Sequence, residues 1–311
     1  MTYNMDKLFE AAAEKGHVCV GLDTAAEYIP PTEKRQAASD TEAVVAYNKA
    51  VIDATFETAA CYKAQIACYE ELGIAGLAAY AETLYYIRKK GGLVIADIKR
   101  GDIADTARRY AKAHFDGSFE ADFVTLSPYM GMDSIEPWLA YAESKGKGAF
   151  VLMRTSNKGM RDFEYLELKA EGGSPPPVRL YHAVGNKLAE LAAAHTGKHS
   201  YGAFGAVVGC TERGEAAAIR AMYPNLFFLI PGYGAQGGAA NDAALLLRKG
   251  NGGVVNASRS ILKAWTAELS QSGGDAKMTT NAFAAEAARK AAMEMRDAIR
   301  AAVQHNEAAH Q

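Results

Sequence analysis

The chain has 311 residues, with 34 Lys and Arg against 36 Asp and Glu and a formal net charge of -2. That balance, with no basic block, excludes the electrostatic footprint of a nucleic-acid or anionic-membrane binder. No apolar run reaches the length of a membrane span, and the polar start "MTYNMDKLFEAAAEKG" has no signal-peptide core, so a cytoplasmic protein with a small-molecule partner is expected.

In chain order, short apolar runs recur at "HVCVGLD" (17–23), "CYKAQIA" (61–67), "LVIADIK" (93–99), "DFVTLSP" (122–128), "AFVLMRTS" (149–156), "GAVVGCT" (205–211), "LFFLIPG" (226–232) and "GGVVNAS" (252–258). Runs apolar on both faces suit strands covered on both sides, and helical patterns such as "EAVVAYNKAVIDATFETA" and "DSIEPWLAYAESK" separate them. Eight βα units predict an α/β fold of the (β/α)8 TIM-barrel type, a single domain over 1–311, with active-site groups where strands end. Insertions break the pattern near 157–177, which is either a lid or a passive surface loop, and near 270–280. The tail "HNEAAHQ" is expected to fray.

The third run ends in "DIKRGDIADT". Alternation along a strand puts Asp97 and Lys99 on one face and Ala96 and Ile98 on the other. With the apolar pair toward the helices, the charged pair faces the barrel axis. The same logic turns Asp23 inward at the end of the first strand, since Val18, Val20 and Leu22 suit the helix layer, and turns Lys63 and Gln65 inward on the second. In isolation such a turn is usually just a solvated loop. Charges of both signs aimed into one mouth, however, are costly to desolvate unless paired, and lysines flanked by carboxylates stay protonated and able to donate.

Near the end of the chain, "IPGYGAQGG" follows the seventh strand and "NASRS" the eighth. Loops in those positions commonly hold phosphate in barrels, and Arg259 would add a guanidinium fork. "RTSN" (154–157) supplies Thr155, Ser156 and Asn157, which suit the polar edge of a heterocycle or simple loop capping. Cys19, Cys61, Cys68 and Cys210 form no CxxC pair and read as buried thiols, and the seven histidines show no ligand spacing. No metal site is expected.

These segments together resemble orotidine 5'-phosphate decarboxylase. "DIKRGDIADT" is similar to its DxKxxDxxxT signature, and "VCVGLDT", "CYKAQIACYEELG", "SPYMGMDSIEPW", "VLMRTSN", "GAVVGCT", "FLIPGYGAQGG" and "VVNASRSIL" agree with it over about residues 7–263. Spacing and length look most like the longer bacterial subgroup, type 2. The resemblance implies conversion of orotidine 5'-monophosphate to UMP by a homodimer without metal or organic cofactor. It assigns Lys63, Asp97 and Lys99 to a catalytic array, completed by Asp102 of the neighbouring subunit. Ile103 and Thr106 of that neighbour would line the same site. Asp23 would bind ribose hydroxyls, Ser156 the pyrimidine, and Pro231, Gln236, Ser258 and Arg259 the remainder of the nucleotide, with Gln236 and Arg259 on the phosphate. Ile98 and Ser127 depart from the residues common at their positions. A magnesium-dependent phosphosugar enzyme and a silent nucleotide-binding barrel are the rival readings.

Overall fold

A computed structural model describes residues 2–168, 178–234, 236–275 and 279–308. Each apolar run overlaps a strand: β1 Val18–Gly21, β2 Ala59–Gln65, β3 Val94–Arg100, β4 Phe123–Leu126, β5 Gly148–Arg154, β6 Phe204–Val208, β7 Phe228–Ile230 and β8 Gly253–Ala257. All pair in parallel with their chain neighbours, and β8 closes on β1, where Val255 lies beside Val18. The expected (β/α)8 barrel is the observed architecture.

Alternation divides the core into two shells. Cys19, Cys61, Ile95, Phe123, Phe150, Val207 and Val254 fill the barrel interior, and Met5 and Leu8 of the amino-terminal helix Asn4–Lys15 plug its lower end. Val18, Val20, Leu22, Ala96, Ile98 and Val124 face outward against Val44 and Val51 of helix Asp40–Thr55 and Leu84 and Ile87 of helix Gly73–Lys89. Each such side chain, fully buried, contributes about 1.5–3 kcal/mol. The first of these helices starts two residues ahead of its quoted pattern, at Asp40, because Ser39 Oγ accepts the Glu42 N–H at 3.2 Å and caps it.

Two expectations are corrected at the carboxyl end. Helix Ala264–Ser272 continues into the predicted 270–280 break and stops at Gly273, whose φ of +66° is the left-handed helix stop. The final helix, Asn281–Ala308, takes in His305–Ala308 of the tail expected to fray, because alanines and Ile299 along one face pack on the barrel side. The 157–177 insertion begins with a 3-10 turn, Lys158–Asp162, and Glu167–Leu168 pairs antiparallel with Val178–Arg179. Residues 169–177 and 276–278 of the two insertions lie outside the described residues, as do the last three of the tail.

Candidate active site

The carboxyl ends of β1, β2 and β3 bring Asp23, Lys63, Asp97 and Lys99 into one array. Lys63 Nζ lies 2.8 Å from Asp97 Oδ2 and 3.2 Å from Asp23 Oδ1, and Lys99 Nζ lies 2.6 Å from Asp97 Oδ1. Gln65 Nε2 donates to Asp97 Oδ2 at 3.2 Å and the Thr125 hydroxyl to Oδ1 at 2.8 Å. Asp97 therefore receives four donors, two on each oxygen, which uses its lone pairs fully.

Electrostatics follow from this pairing. Burial alone would lift the Asp97 carboxyl, but the Lys63 and Lys99 ammoniums outweigh it and hold it well below the usual carboxylate range. Burial would likewise depress Lys63, yet Asp23 and Asp97 reverse the sign and hold it above the usual lysine value. Lys63 and Asp97 are thus fixed as ions although both are nearly inaccessible to solvent.

Lys99 departs from the strand. Its φ is +45°, a left-handed conformation that is strained for a side chain with a Cβ, and the β3–β4 register shifts between Ala96 and Arg100. Thr125 Oγ1 accepts the Lys99 N–H at 2.9 Å and so holds the distorted residue while its own proton goes to Asp97. The Lys99 side chain remains 47% exposed, facing the open mouth.

Above the array lies a cavity of about 380 Å3, lined by Asp23, Lys63, Gln65, Asp97, Lys99 and Thr125 on its charged side and by Leu152, Val207 and Leu229 opposite. Ser156, Pro231 and Gln236 close its rim. A second lobe of about 350 Å3 shares Asp23, Pro231, Gln236 and Asn256 with the first and adds Tyr28, Ser258 and Arg259. Ser258 Oγ donates to Asp23 Oδ2 at 2.8 Å, so both oxygens of Asp23 are held. Close packing makes this contact: a Cβ on Gly21 would come within 1.9 Å of Ser258 Oγ. The Arg259 side chain makes no hydrogen bond or ion pair with any described residue, leaving its guanidinium available. Burial pushes the thiol of Cys68, also in this lobe, up to about 11, which disfavours its thiolate. Among the described residues no cluster of His, Cys, Asp and Glu is arranged to hold a metal ion.

The two lobes thus gather nine of the twelve residues expected from the sequence. Asp102, Ile103 and Thr106 line neither lobe of their own chain. Asp102 Oδ1 accepts the Ile103 N–H at 2.8 Å, and Ile103 is exposed ahead of helix Ala104–Phe115. Sequence reasoning missed Thr125 and Asn256. Both sit two residues beyond inward apolar partners, Phe123 and Val254, so the alternation that found Asp97 also marks them.

The sequence profile of the orotidine 5'-phosphate decarboxylase / HUMPS family matches residues 16–268. An orotidine 5'-phosphate decarboxylase of Clostridium perfringens is 53% identical over 298 residues, 96% of this chain and 98% of that protein. The structure of Leishmania donovani OMP decarboxylase matches with a TM-score of 0.73 at 32% identity, covering 97% of this chain and 100% of that one. The chain also spans 57% of the Leishmania donovani UMP synthase chain, with 96% of its own length covered, 34% identity and a TM-score of 0.73. With its closed parallel barrel and the charged array at the ends of β1, β2 and β3, the chain belongs to the orotidine 5'-phosphate decarboxylase / HUMPS family.

Proposed function

We propose that the chain decarboxylates orotidine 5'-monophosphate to UMP without a metal or organic cofactor. The observation that carries this reading is the four-donor fixation of Asp97, which holds the Lys99 ammonium in the cavity mouth. Breaking the bond between C6 and the carboxylate leaves an electron pair in the ring plane with no conjugated acceptor. A fixed ammonium beside C6 stabilises that charge as it develops and then delivers a proton to it, so CO2 departs and C6–H forms. Asp97 has no lone pair left for a cation, which favours this route over a magnesium-dependent phosphosugar reaction.

Asp23, at the waist between the lobes, suits ribose hydroxyls, Ser156 the pyrimidine edge, and Arg259 with Gln236 the phosphate. Pro231 packs against the bound nucleotide and Ser258 orients Asp23. Asp102, Ile103 and Thr106 act in the neighbour's cavity within a homodimer. Their absence from their own cavity supports this, as do exposed Ile103, Tyr129 and Met130 beside the ends of β3 and β4. The reading extends to a single domain of the longer bacterial subgroup, type 2, working in the cytoplasm on a small molecule, with neither nucleic acid nor membrane as partner.

An ultraviolet assay with orotidine 5'-monophosphate, run before and after dialysis against EDTA, tests it. Undiminished consumption of substrate is expected. Activity that disappears with EDTA and returns with Mg2+ would move the chain to the phosphosugar branch.

A further inference from the structure

Among the described residues of the 157–177 insertion, Glu164 reaches back to the strand end that carries the active site. Glu164 Oε2 accepts the Thr155 N–H at 2.9 Å, and Glu164 Oε1 lies 2.7 Å from the Thr155 hydroxyl. That hydroxyl also lies 2.6 Å from the Asn157 side-chain oxygen as oriented. With a single proton to give, it serves the charged Glu164, and an Asn157 amide turned over donates to it in return. Thr155 stands in the cavity wall directly before Ser156.

Glu164 is itself held firmly. Its N–H donates to the Met160 carbonyl at 2.8 Å, and its carbonyl accepts the Tyr181 N–H at 3.1 Å from the first turn of helix Leu180–Ala194. The next residue, Tyr165, lies between two guanidiniums, with Arg179 4.2 Å and Arg161 5.0 Å from its ring centre. The Tyr165 hydroxyl and Arg179 both bond Glu215, and Arg161 pairs with Glu212 at 2.9 Å. The described part of the insertion, and Arg179 just beyond it, are thereby tied to helix Arg213–Met222 and the residue before it. From the other side, the Thr211 hydroxyl donates to the Ser156 carbonyl at 3.3 Å.

We infer that Glu164 is a positioning residue for substrate recognition, bracing Thr155 so that Ser156 stands at the height the pyrimidine edge requires. The insertion base is a fixed bracket joining the ends of β5 and β6. This inference rests on the nucleotide reading above, and it concerns the pyrimidine end of the cavity alone, because Glu164 touches nothing in the phosphate lobe.

The test compares two competitive inhibitors, UMP and ribose 5-phosphate, against wild type, Glu164→Ala and Glu164→Gln. Both ligands carry the same phosphate charge, so removal of a carboxylate affects them equally and the difference isolates the base. Glu164→Ala should weaken UMP by about tenfold, the scale of one or two lost hydrogen bonds, and leave ribose 5-phosphate unchanged. Glu164→Gln keeps an oxygen for the Thr155 amide and should recover part of the loss, and it serves as the informative variant if the alanine protein does not fold. Equal weakening of both ligands, or no weakening of UMP in either folded variant, overturns the inference while leaving the decarboxylase assignment intact. A wild-type protein that neither consumes orotidine 5'-monophosphate nor binds UMP overturns both.

Discussion

Lys63 and Asp97 form an ion pair of 2.8 Å whose side chains are only 6% and 8% exposed. Such a pair is retained at a cost in desolvation, and removing one partner leaves the other charge buried with incomplete compensation. Lys63→Met should therefore destabilise the protein by about 3–5 kcal/mol, read as a shift of the denaturant midpoint at pH 7. A loss below about 1 kcal/mol would show a solvated pair of the surface type.

The same pair sets a pH window. Asp97 is depressed in the fold, so its contribution to stability is full above the unfolded value of about 3.9 and fades as pH falls toward its folded value. Lys63 is raised, so its contribution is full below about 10.4 and fades as pH rises toward its folded value. Across about pH 5–9 neither group should titrate. Comparison of wild type with Asp97→Asn by denaturant unfolding should give a stability difference that is constant in that window and shrinks below about pH 4. A difference that changes steeply near neutrality would contradict the assignment.

Thr125 joins Asp97 to the Lys99 backbone with one hydroxyl, and valine has its shape without its hydrogen bonds. Thr125→Val should lower kcat about tenfold to a hundredfold, equivalent to ~1.4–2.7 kcal/mol in the barrier, with KM little altered. Steady-state kinetics on orotidine 5'-monophosphate would decide. A rise in KM at constant kcat would make Thr125 a binding residue instead.

Arg259, whose guanidinium has no hydrogen bond or ion pair with any described residue, should act through the phosphate. Arg259→Ala should lower kcat/KM by orders of magnitude for the nucleotide, each ~1.4 kcal/mol being a factor of ten, and barely change turnover of the phosphate-free nucleoside. Added guanidinium should restore part of the nucleotide activity. Equal damage to both substrates would mean that Arg259 supports the fold.

The proposed homodimer with shared sites predicts complementation. Lys99→Ala and Asp102→Ala, each inactive alone, should regain up to about a quarter of wild-type activity per subunit once chains exchange at random, since half the dimers are mixed and each carries one intact site. Failure after verified exchange, by native mass spectrometry of tagged subunits, would assign Asp102 to its own chain.

Much of this was legible in the chain because one period carries it. The twofold alternation that separates Asp97 and Lys99 from Ala96 and Ile98 located the barrel strands and the inward charges, and strand boundaries differ from the apolar runs by only a few residues. Three features were not legible. Alternation marks Thr125 and Asn256 as inward, but neither carries a charge, so nothing in the chain signals that Thr125 completes the donor set of Asp97 or that Asn256 lines both lobes. The Glu164–Thr155 brace depends on a 3-10 turn folding back over the strand end, a tertiary event with no local period. The left-handed Lys99 defies propensity, since only surrounding structure makes that conformation tolerable.

That backbone has a consequence for engineering. Glycine adopts φ near +45° without penalty, so at position 99 it would relieve local strain of about 1–2 kcal/mol and forgo one half-exposed ion pair. A library of this barrel sorted for thermal survival alone would accept that exchange and drift toward robust, inert proteins. Screens for hardier variants must therefore keep turnover in the selection at every round, because thermal selection has no reason to preserve the ammonium on which the proposed chemistry depends.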